Sequence, residues 1–216
     1  MIQQRDICQL TFLMPNIPLY LETIKIEDGE IYNIEYHNQR FNRTRENLFG
    51  LSKHINLEEA IVSPPQEGLY RCRILYREKI IYVEYIPYID KNPKSFKIVS
   101  SNIEYRYKST YRDELNDLLK SSHLYDEIII EKDGLLTDTT IANIAFYDGD
   151  SWITPEKPLL EGTMRAKLLD KKILIPKIIK SDNLRYFSHF ALMNAMIGFQ
   201  IQKNITIYDR KEGICL

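Results

Sequence analysis

The chain has 216 residues, with 29 basic and 30 acidic side chains, so its formal net charge is -1. Because neither sign forms a long run, the charge pattern favours neither nucleic acid nor an anionic membrane as a partner. No apolar stretch approaches the length of a membrane span, and the chain length suits one large domain or two small ones.

The cysteines and the N-terminal segment both indicate a cytoplasmic protein. Cys8, Cys72 and Cys215 are odd in number and far apart, without CxxC or Cys/His spacing. We therefore predict free thiols, with neither a disulfide framework nor a metal site. The segment MIQQRDICQLTFLM is too interrupted by polar side chains to be a secretory signal.

The first half of the chain predicts strands with short helical turns between them. LETIKIEDGEIYNIEYH holds Asp28 and Gly29 between two runs with Ile at alternate positions, which is a strong hairpin signal. RCRILYREKIIYVEYIPYI repeats that arrangement around a polar tip at 77–79. QRFNRTRENLFG and INLEEAI indicate helical turns, the first ended by Gly50. We expect a smaller α+β domain over residues 1–100, in which IDKNPKSF is a polar linker or loop.

The second half, residues 101–216, mixes the two periodicities and predicts a larger domain. A strand-like stretch ends at Lys108, and three leucines then recur at helical spacing, with Ser109 or Thr110 available as the N-cap. EIIIE, TIANIAFY and SWITP predict strands joined by Asp-Gly turns. GTMRAKLLDKK indicates a helix, and SDNLRYFSH begins another behind Ser181 and Asp182.

Four short segments carry the chemistry of the chain. EYHNQR ends in Arg40, YKSTYR holds Lys108, DGLLTDTTIANIAFYDG holds Asp138, and LLEGTMRAKLL contains GTMR. Their order and spacing resemble the class IV aminotransferase family, also called the fold-type IV pyridoxal-phosphate (PLP) enzymes. The resemblance runs from about residue 22 to residue 199. It implies an α+β, two-domain fold like that of D-amino-acid aminotransferase, with pyridoxal 5'-phosphate in the cleft between the domains.

Lys108 matches the Schiff-base lysine of that family. PLP chemistry requires an amine that holds the aldehyde as an imine, is displaced by the substrate amine, and then moves the proton on the adjacent carbon. A free lysine titrates near ~10.4, so Lys108 must be desolvated or lie near positive charge to act as a neutral base. A solvated lysine at a helix start is the alternative that holds for most lysines. The flanking motifs favour the catalytic role.

Asp138 and Arg40 match the residues that hold the two ends of the cofactor. Asp138 stands where the GxxxE motif of the family places a Glu facing the pyridine nitrogen, and a carboxylate there keeps that nitrogen protonated. Asp shortens the reach by one methylene, about 1.5 Å, and a turn-forming Asp is the alternative. Arg40, in HxxR with His37, matches the arginine that binds the phosphate through a two-pronged contact. A solvated helix face is the alternative for this pair.

Two backbone loops complete the phosphate site that the resemblance implies. Gly162 allows close approach, and the N-H groups of Thr163 and Met164 lie at a helix N-terminus, where an anion is favoured. A second loop matches Asn194 and Ala195 in ALMNAMIGF. A buried, Met-rich helix or strand is the alternative for this second loop.

Three further positions were assigned with alternatives. Tyr111, three residues after Lys108, either hydrogen-bonds the phenolic oxygen of the cofactor or packs in the core. Asn143 matches a family asparagine that satisfies backbone groups. Arg73, on one strand face with Arg71, is a candidate anion binder, and a surface position for both is the alternative.

The reaction follows from the details of two motifs. GTMR with Met in third place, and NAM with Asn first, are more similar to aminodeoxychorismate lyase than to the aminotransferases. This resemblance implies that Lys108 removes a ring proton, that pyruvate leaves and that 4-aminobenzoate forms for folate biosynthesis. It also implies a homodimer acting on a small-molecule amine.

Two other functions stay open from the sequence. One is an amino-acid aminotransferase of the branched-chain or D-amino-acid type. The other is a catalytically inactive PLP-binding or regulatory homologue, which Asp138 and the short N-terminal segment motivate.

Overall fold

The computed structural model describes residues 18–211 and 213–216. Two β-sheets organise this part of the chain, one of four strands and one of nine. The N-terminal segment, with Cys8, lies outside the described residues, whereas Cys72 and Cys215 are free thiols. In the described part of the chain, no helix is both long enough and apolar enough to cross a membrane.

The first sheet is built from the two predicted hairpins and has the order β2-β1-β3-β4. The Asp28–Gly29 turn joins the first pair, with both residues at positive φ, a conformation that Gly and Asp tolerate. The second hairpin turns at residues 77–79, as predicted. The strands are β1 (Tyr20–Glu27), β2 (Glu30–Ile31), β3 (Leu69–Tyr76) and β4 (Ile80–Pro87).

A long helix covers one face of this sheet. Helix α1 (Ile34–Phe49) begins inside the second run of the predicted hairpin, so the prediction of a long second strand there was wrong. The helix ends at Gly50 in the left-handed conformation, as predicted. Phe41 from α1 packs against Ile24 and Ile74 of the sheet in one buried cluster. Helix formation wins over strand formation because it buries this face.

The second sheet runs β10-β9-β8-β7-β6-β5-β13, with β11 paired to β8 and β12 paired to β11. All three strands predicted in EIIIE, TIANIAFY and SWITP are present, and residues 135–139 form a further strand that the sequence did not separate. The strands of this second sheet are β5 (Ser95–Ser100), β6 (Glu127–Lys132), β7 (Leu135–Thr139), β8 (Asn143–Tyr147), β9 (Trp152–Pro155), β10 (Leu174–Lys177), β11 (His189–Asn194), β12 (Gly198–Ile201) and β13 (Thr206–Tyr208).

Short helices connect these strands. Helix α2 (Asp113–Ser121) precedes β6, and α3 (Thr163–Asp170) lies where GTMRAKLLDKK predicted a helix. The helical turn predicted in INLEEAI is a 3-10 helix at residues 57–60. The helix predicted in SDNLRYFSH is a 3-10 helix over residues 181–186, and Lys180 rather than Ser181 or Asp182 is its N-cap. The chain changes sheet between Pro87 and Ser95, within the predicted linker. This change lies before the predicted domain boundary at residue 100, because β5 pairs with β6 of the second sheet.

Lys108 lies in an irregular segment, so the prediction that it ends a strand and opens a helix was wrong. Residues 101–112 contain no helix and only an isolated bridge from Ser109 to Tyr20. The amide of Leu21 donates to the Lys108 carbonyl at 2.9 Å, and that of Thr110 donates to Leu19 at 2.9 Å. These hydrogen bonds to the start of the first sheet take the place of helical hydrogen bonds. The N-cap of α2 is therefore Arg112, and not Ser109 or Thr110 as predicted.

Candidate active site

A cavity of about 450 Å³ lies between the two sheets, within the ~300–1,000 Å³ range of small-molecule sites. Strands β1 and β3 line it from the first sheet, and the ends of β7, β8 and β11 line it from the second. Seven of the predicted site residues meet in this wall: Arg40, Lys108, Asp138, Gly162, Thr163, Asn194 and Ala195.

Lys108 lies in the cavity wall on the irregular segment between the sheets. Burial lowers the pKa of its ammonium to about 7, and the guanidinium groups of Arg40 and Arg112 act in the same direction, with Glu22 opposing them. Because both burial and neighbouring positive charge disfavour the charged form, a substantial fraction of this amine is neutral near pH 7. A neutral amine can act as a nucleophile and as a base.

Asp138 lies on β7 and is buried. Its Oδ1 accepts a hydrogen bond from Asn143 Nδ2 at 2.7 Å, and its Oδ2 accepts one from the Leu160 amide at 2.8 Å. Burial raises the pKa of this carboxyl to about 6, although the two donors oppose the shift. The carboxyl is therefore fixed in orientation, and a cationic ligand group in the cavity would favour its ionised form.

Arg40 is anchored by a buried glutamate that the sequence reasoning did not identify. Glu22 on β1 accepts hydrogen bonds from Arg40 Nε at 2.9 Å and Nη2 at 2.6 Å, and from His37 Nδ1 at 2.6 Å. Burial alone would raise the pKa of Glu22, but Arg40 and His37 outweigh it and hold the pKa at about 2. The remaining Nη1 of Arg40 donates a long hydrogen bond, 3.5 Å, to the Glu161 carbonyl.

The first residues of α3 lie beside Arg40. Thr163 Oγ1 is 3.4 Å from His37 Nε2, so the glutamate, the histidine and the start of the helix form one buried group. A Cβ at position 162 would clash with Asn143 Oδ1, and this explains the glycine. Among the described residues, no side chain caps this helix, which leaves its first N-H groups to water or to an anionic ligand.

Three further cationic side chains line the cavity. Its wall includes Arg71 and Arg73 of β3 and Lys91 of the loop that follows β4. Arg73 Nη1 pairs with Glu84 at 2.9 Å. The buried Nε of Arg71 has no hydrogen-bond partner within the described ranges. The candidate anion binders therefore line the cavity, and their binding of an anion stays a prediction.

Two predicted contacts are not among the residues lining the cavity. Tyr111 is 43% exposed, because the segment after Lys108 is irregular and turns Arg112, not Tyr111, towards the cavity. The Met164 side chain packs in the cluster formed by Leu168 and Met193. The prediction for Met164 concerned its backbone N-H, and that prediction stays open.

Asn194 is the last residue of β11, and Ala195 is the first residue of the turn that leads to β12. Asn194 Oδ1 accepts hydrogen bonds from the amides of Met196 and Ile197 at 2.9 and 3.0 Å. Its Nδ2 donates to the Ile141 carbonyl at 3.2 Å. The asparagine side chain therefore shapes the loop, while the loop itself forms part of the cavity wall.

Sequence reasoning missed three residues that build this site: Glu22, Tyr105 and Arg112. Glu22 lies on the buried face of β1 together with Ile24 and Ile26 and is fully buried. A charged residue on a predicted inward face was the available signal. Tyr105 and Arg112 flank Lys108 in the irregular segment. No periodicity marks them, so only the tertiary structure identifies them.

The donor set fits PLP. A buried carboxyl at Asp138 can pair with a pyridinium nitrogen, and Arg40 with the start of α3 can hold a phosphate. Lys108, with a pKa of about 7, can condense with an aldehyde. Asp in place of Glu is compatible with this arrangement because the carboxylate already lies in the cavity wall.

Comparisons with known proteins agree with this geometry. The family model "Amino-transferase class IV" matches residues 80–205. An uncharacterized protein of Haemophilus influenzae is 37% identical over 186 residues, which cover 84% of this chain and 98% of the relative. A Schizosaccharomyces pombe protein named "Putative aminodeoxychorismate lyase" is 30% identical over 113 residues, 49% of each chain.

Solved structures show the same fold. The crystal structure named as a "putative 4-amino-4-deoxychorismate lyase" from Haemophilus somnus has a TM-score of 0.77 and 38% identity, covering 85% of this chain and 98% of that one. The PLP-bound form of a hypothetical aminotransferase from Mycobacterium tuberculosis has a TM-score of 0.71 at 15% identity, covering 87% and 80%. The chain therefore belongs to the class IV aminotransferase family and is a PLP-dependent lyase or aminotransferase.

Proposed function

We propose that this enzyme is a 4-amino-4-deoxychorismate lyase, which releases pyruvate from its substrate and forms 4-aminobenzoate for folate biosynthesis. Support comes from the names of the Haemophilus somnus and Schizosaccharomyces pombe relatives. The GTMR and NAM motifs support the same choice. The observation that carries the proposal is a partly neutral amine, Lys108, in one cavity with a buried carboxyl and a cluster of cations.

Lys108 is the proposed base. When bound, PLP withdraws electrons from the carbon that bears the substrate amine, which makes the proton on that carbon acidic. The neutral Nζ of Lys108 takes this proton. The carbon-oxygen bond to the enolpyruvyl group then breaks, its electron pair leaves with the oxygen, and the ring becomes aromatic. The ammonium of Lys108 can return the proton to the methylene carbon of the departing group, which gives pyruvate.

The other residues orient the reactants. Asp138 is proposed to hold a proton on the pyridine nitrogen, and its two hydrogen-bond donors keep the carboxyl in one orientation. Arg40 and the start of α3 are proposed to hold the phosphate. The salt bridge to Glu22 restricts Arg40 to one rotamer, so binding costs little further side-chain entropy.

The cationic part of the wall suits a substrate with two carboxylates. Aminodeoxychorismate carries one carboxylate on its ring and one on its enolpyruvyl group. Arg71 is proposed to bind one of them, because its buried Nε has no partner among the described side chains and backbone groups. Burying such a donor without a partner is costly, and a carboxylate would satisfy it.

A product assay tests the proposal directly. We expect the purified protein, supplied with PLP and aminodeoxychorismate, to release pyruvate and 4-aminobenzoate in equal amounts without any keto acid. Lys108→Ala should abolish both products. If the protein transfers the amine only when a keto acid is added, the lyase assignment is wrong and the enzyme is an aminotransferase.

A second measurement addresses the catalytically inactive alternative. We expect the PLP-loaded protein to exchange the proton on the amine-bearing carbon of a bound amine with deuterium from heavy water. Protein that binds PLP and yet catalyses no exchange with aminodeoxychorismate or with amino acids would support a regulatory role.

We also propose a homodimer, as the family resemblance implies, and a cytoplasmic location, as the cysteines and the N-terminal segment indicate. Analytical ultracentrifugation should give a mass of about twice the 25.6 kDa of one chain. A monomer at micromolar concentration that retains full activity would contradict this part of the proposal.

A further inference from the structure

Arg112 joins the segment that carries Lys108 to the strand that carries Asp138. Its Nη1 donates a hydrogen bond to the Tyr105 hydroxyl at 3.0 Å, and its Nη2 donates one to the Thr140 carbonyl at 2.7 Å. Thr140 follows Asp138 by two residues, at the end of β7. The planar guanidinium thus connects both sides of the cavity with a fixed geometry, which a flexible ammonium does not provide.

Tyr105 continues this connection to Lys108. Its hydroxyl accepts from Arg112 and donates to the carbonyl of Ser109, the residue after Lys108, at 3.0 Å. The hydroxyl therefore uses both its donor and an acceptor site. The Arg112 guanidinium also lies over the Tyr105 ring, 5.4 Å from its centroid. The ring is buried, so the contact is shielded from water.

Thr140 is held firmly on the other side. Its hydroxyl is 2.9 Å from each carboxylate oxygen of Glu127, and its amide donates to Glu127 Oε1 at 3.3 Å. Arg112 therefore binds a carbonyl whose residue is already anchored to β6. Lys108, by contrast, lies in a segment without helix or strand, so its position depends on a few such bonds.

We propose that Arg112 is a positioning residue that fixes the Lys108 amine relative to the Asp138 carboxyl, so that one bound PLP can reach both. This inference depends on Lys108 as the reactive amine. It does not depend on the choice between lyase and aminotransferase, because both reactions need the same two contacts.

Arg112 also contributes positive charge, and the two roles must be separated. Its charge lowers the pKa of Lys108, after burial and Arg40. The charged and titratable groups that face Lys108 come from both sheets, from helix α1 and from its own segment: Glu22, His37, Arg40, Arg71, Arg112 and Asp138. A charge effect changes the midpoint pH of the amine, whereas a positioning effect changes the rate of its reaction at every pH.

Reductive trapping distinguishes the two roles. The PLP-saturated protein is treated with borohydride across a pH series, and the pyridoxyl adduct on the Lys108 peptide is quantified by mass spectrometry. We expect Arg112→Lys, which keeps the charge, and Tyr105→Phe, which breaks the connection, to slow adduct formation about tenfold to a hundredfold. Their midpoint pH should stay that of the wild type. Arg106→Gln is the matched control, an exposed arginine of the same segment, and should behave as the wild type.

Three results would overturn the inference. One is a wild-type trapping rate in both Arg112→Lys and Tyr105→Phe. Another is slower adduct formation in Arg112→Gln, with a raised midpoint pH, when Arg112→Lys and Tyr105→Phe react at the wild-type rate. That result would show that Arg112 acts through its charge alone. The third is slowing that Arg106→Gln shares. Thermal unfolding of each variant shows whether it is folded. If an Arg112 variant does not fold, Tyr105→Phe still tests the inference. Failure of the wild type itself to form the adduct would instead refute Lys108 as the reactive amine.

Discussion

Replacing Glu22 with Gln tests the buried ion pair beneath the proposed phosphate site. The carboxylate is fully buried and accepts hydrogen bonds from Arg40 and His37. Arg40 itself is only 8% exposed. A glutamine at this position would leave the guanidinium buried without a counter-charge, and leaving one charge of a buried pair uncompensated is strongly destabilising.

The pKa of Glu22 gives the size of the effect. It falls from 4.5 to about 2 on folding, and at about 1.4 kcal/mol per pKa unit the ionised carboxylate stabilises the folded state by about 3 kcal/mol. Breaking a buried pair costs about 3–5 kcal/mol in other proteins, which agrees. Because the folded pKa is the lower one, this stability is present above pH 4.5 and is lost as the pH falls to about 2.

Urea unfolding of the apoprotein at pH 7 measures this difference. We expect Glu22→Gln to lower the free energy of unfolding by about 3 kcal/mol. Glu27→Gln is the matched control on the same strand, since Glu27 pairs with Lys25 at 2.7 Å but is 39% exposed, and such pairs contribute about 0–1 kcal/mol. A Glu22→Gln variant within about 1 kcal/mol of the wild type would refute the reasoning.

Three further predictions concern the cavity. Borohydride trapping of PLP on wild-type Lys108 should rise with pH around a midpoint near 7, where burial and neighbouring cations place its pKa; a midpoint near 10 would contradict this desolvation. Burial raises the pKa of Asp138 to about 6, so ionisation of this carboxyl should lower the free energy of unfolding of the apoprotein as the pH rises from about 4 to 6. The Asp138→Asn variant should show no such pH dependence in urea titrations. The same variant should bind PLP more weakly, as measured by absorbance. Gly162→Ala should lower the free energy of unfolding by about 1–3 kcal/mol, because the added methyl group overpacks against Asn143. If the double variant Gly162→Ala/Asn143→Ser loses less stability than the sum of the two single variants, the contact is confirmed. If the two losses add, the contact is contradicted.

Local sequence patterns were sufficient for much of the framework. The hairpin at Asp28–Gly29, the helix that ends at Gly50 and the helix that starts at Thr163 are all present. Each depends on residues close together in the chain: turn residues that accept positive φ, or a glycine just past the last helical residue. The resemblance also led to seven residues that line one cavity, five of them in the four motifs and two in ALMNAMIGF.

The segment around Lys108 could not be predicted in the same way. Its helical spacing of leucines is real, but helix α2 starts only at Asp113. The backbone of Lys108 bonds instead to Leu21 of the other sheet, a contact between residues far apart in the chain. Tyr111 lies on the same irregular backbone and is 43% exposed, so its core-packing alternative was wrong and its contact with the cofactor stays a prediction.

By itself, the sequence determined the chemical groups of the site and the order in which the chain supplies them, because motif spacing is a property of the chain alone. Only the tertiary structure decided that Glu22 holds Arg40, that Arg112 connects the two sides of the cavity, and that Lys108 has a pKa of about 7. Burial and electrostatic coupling are distance-dependent effects. They arise between residues that are remote in sequence and become neighbours only on folding.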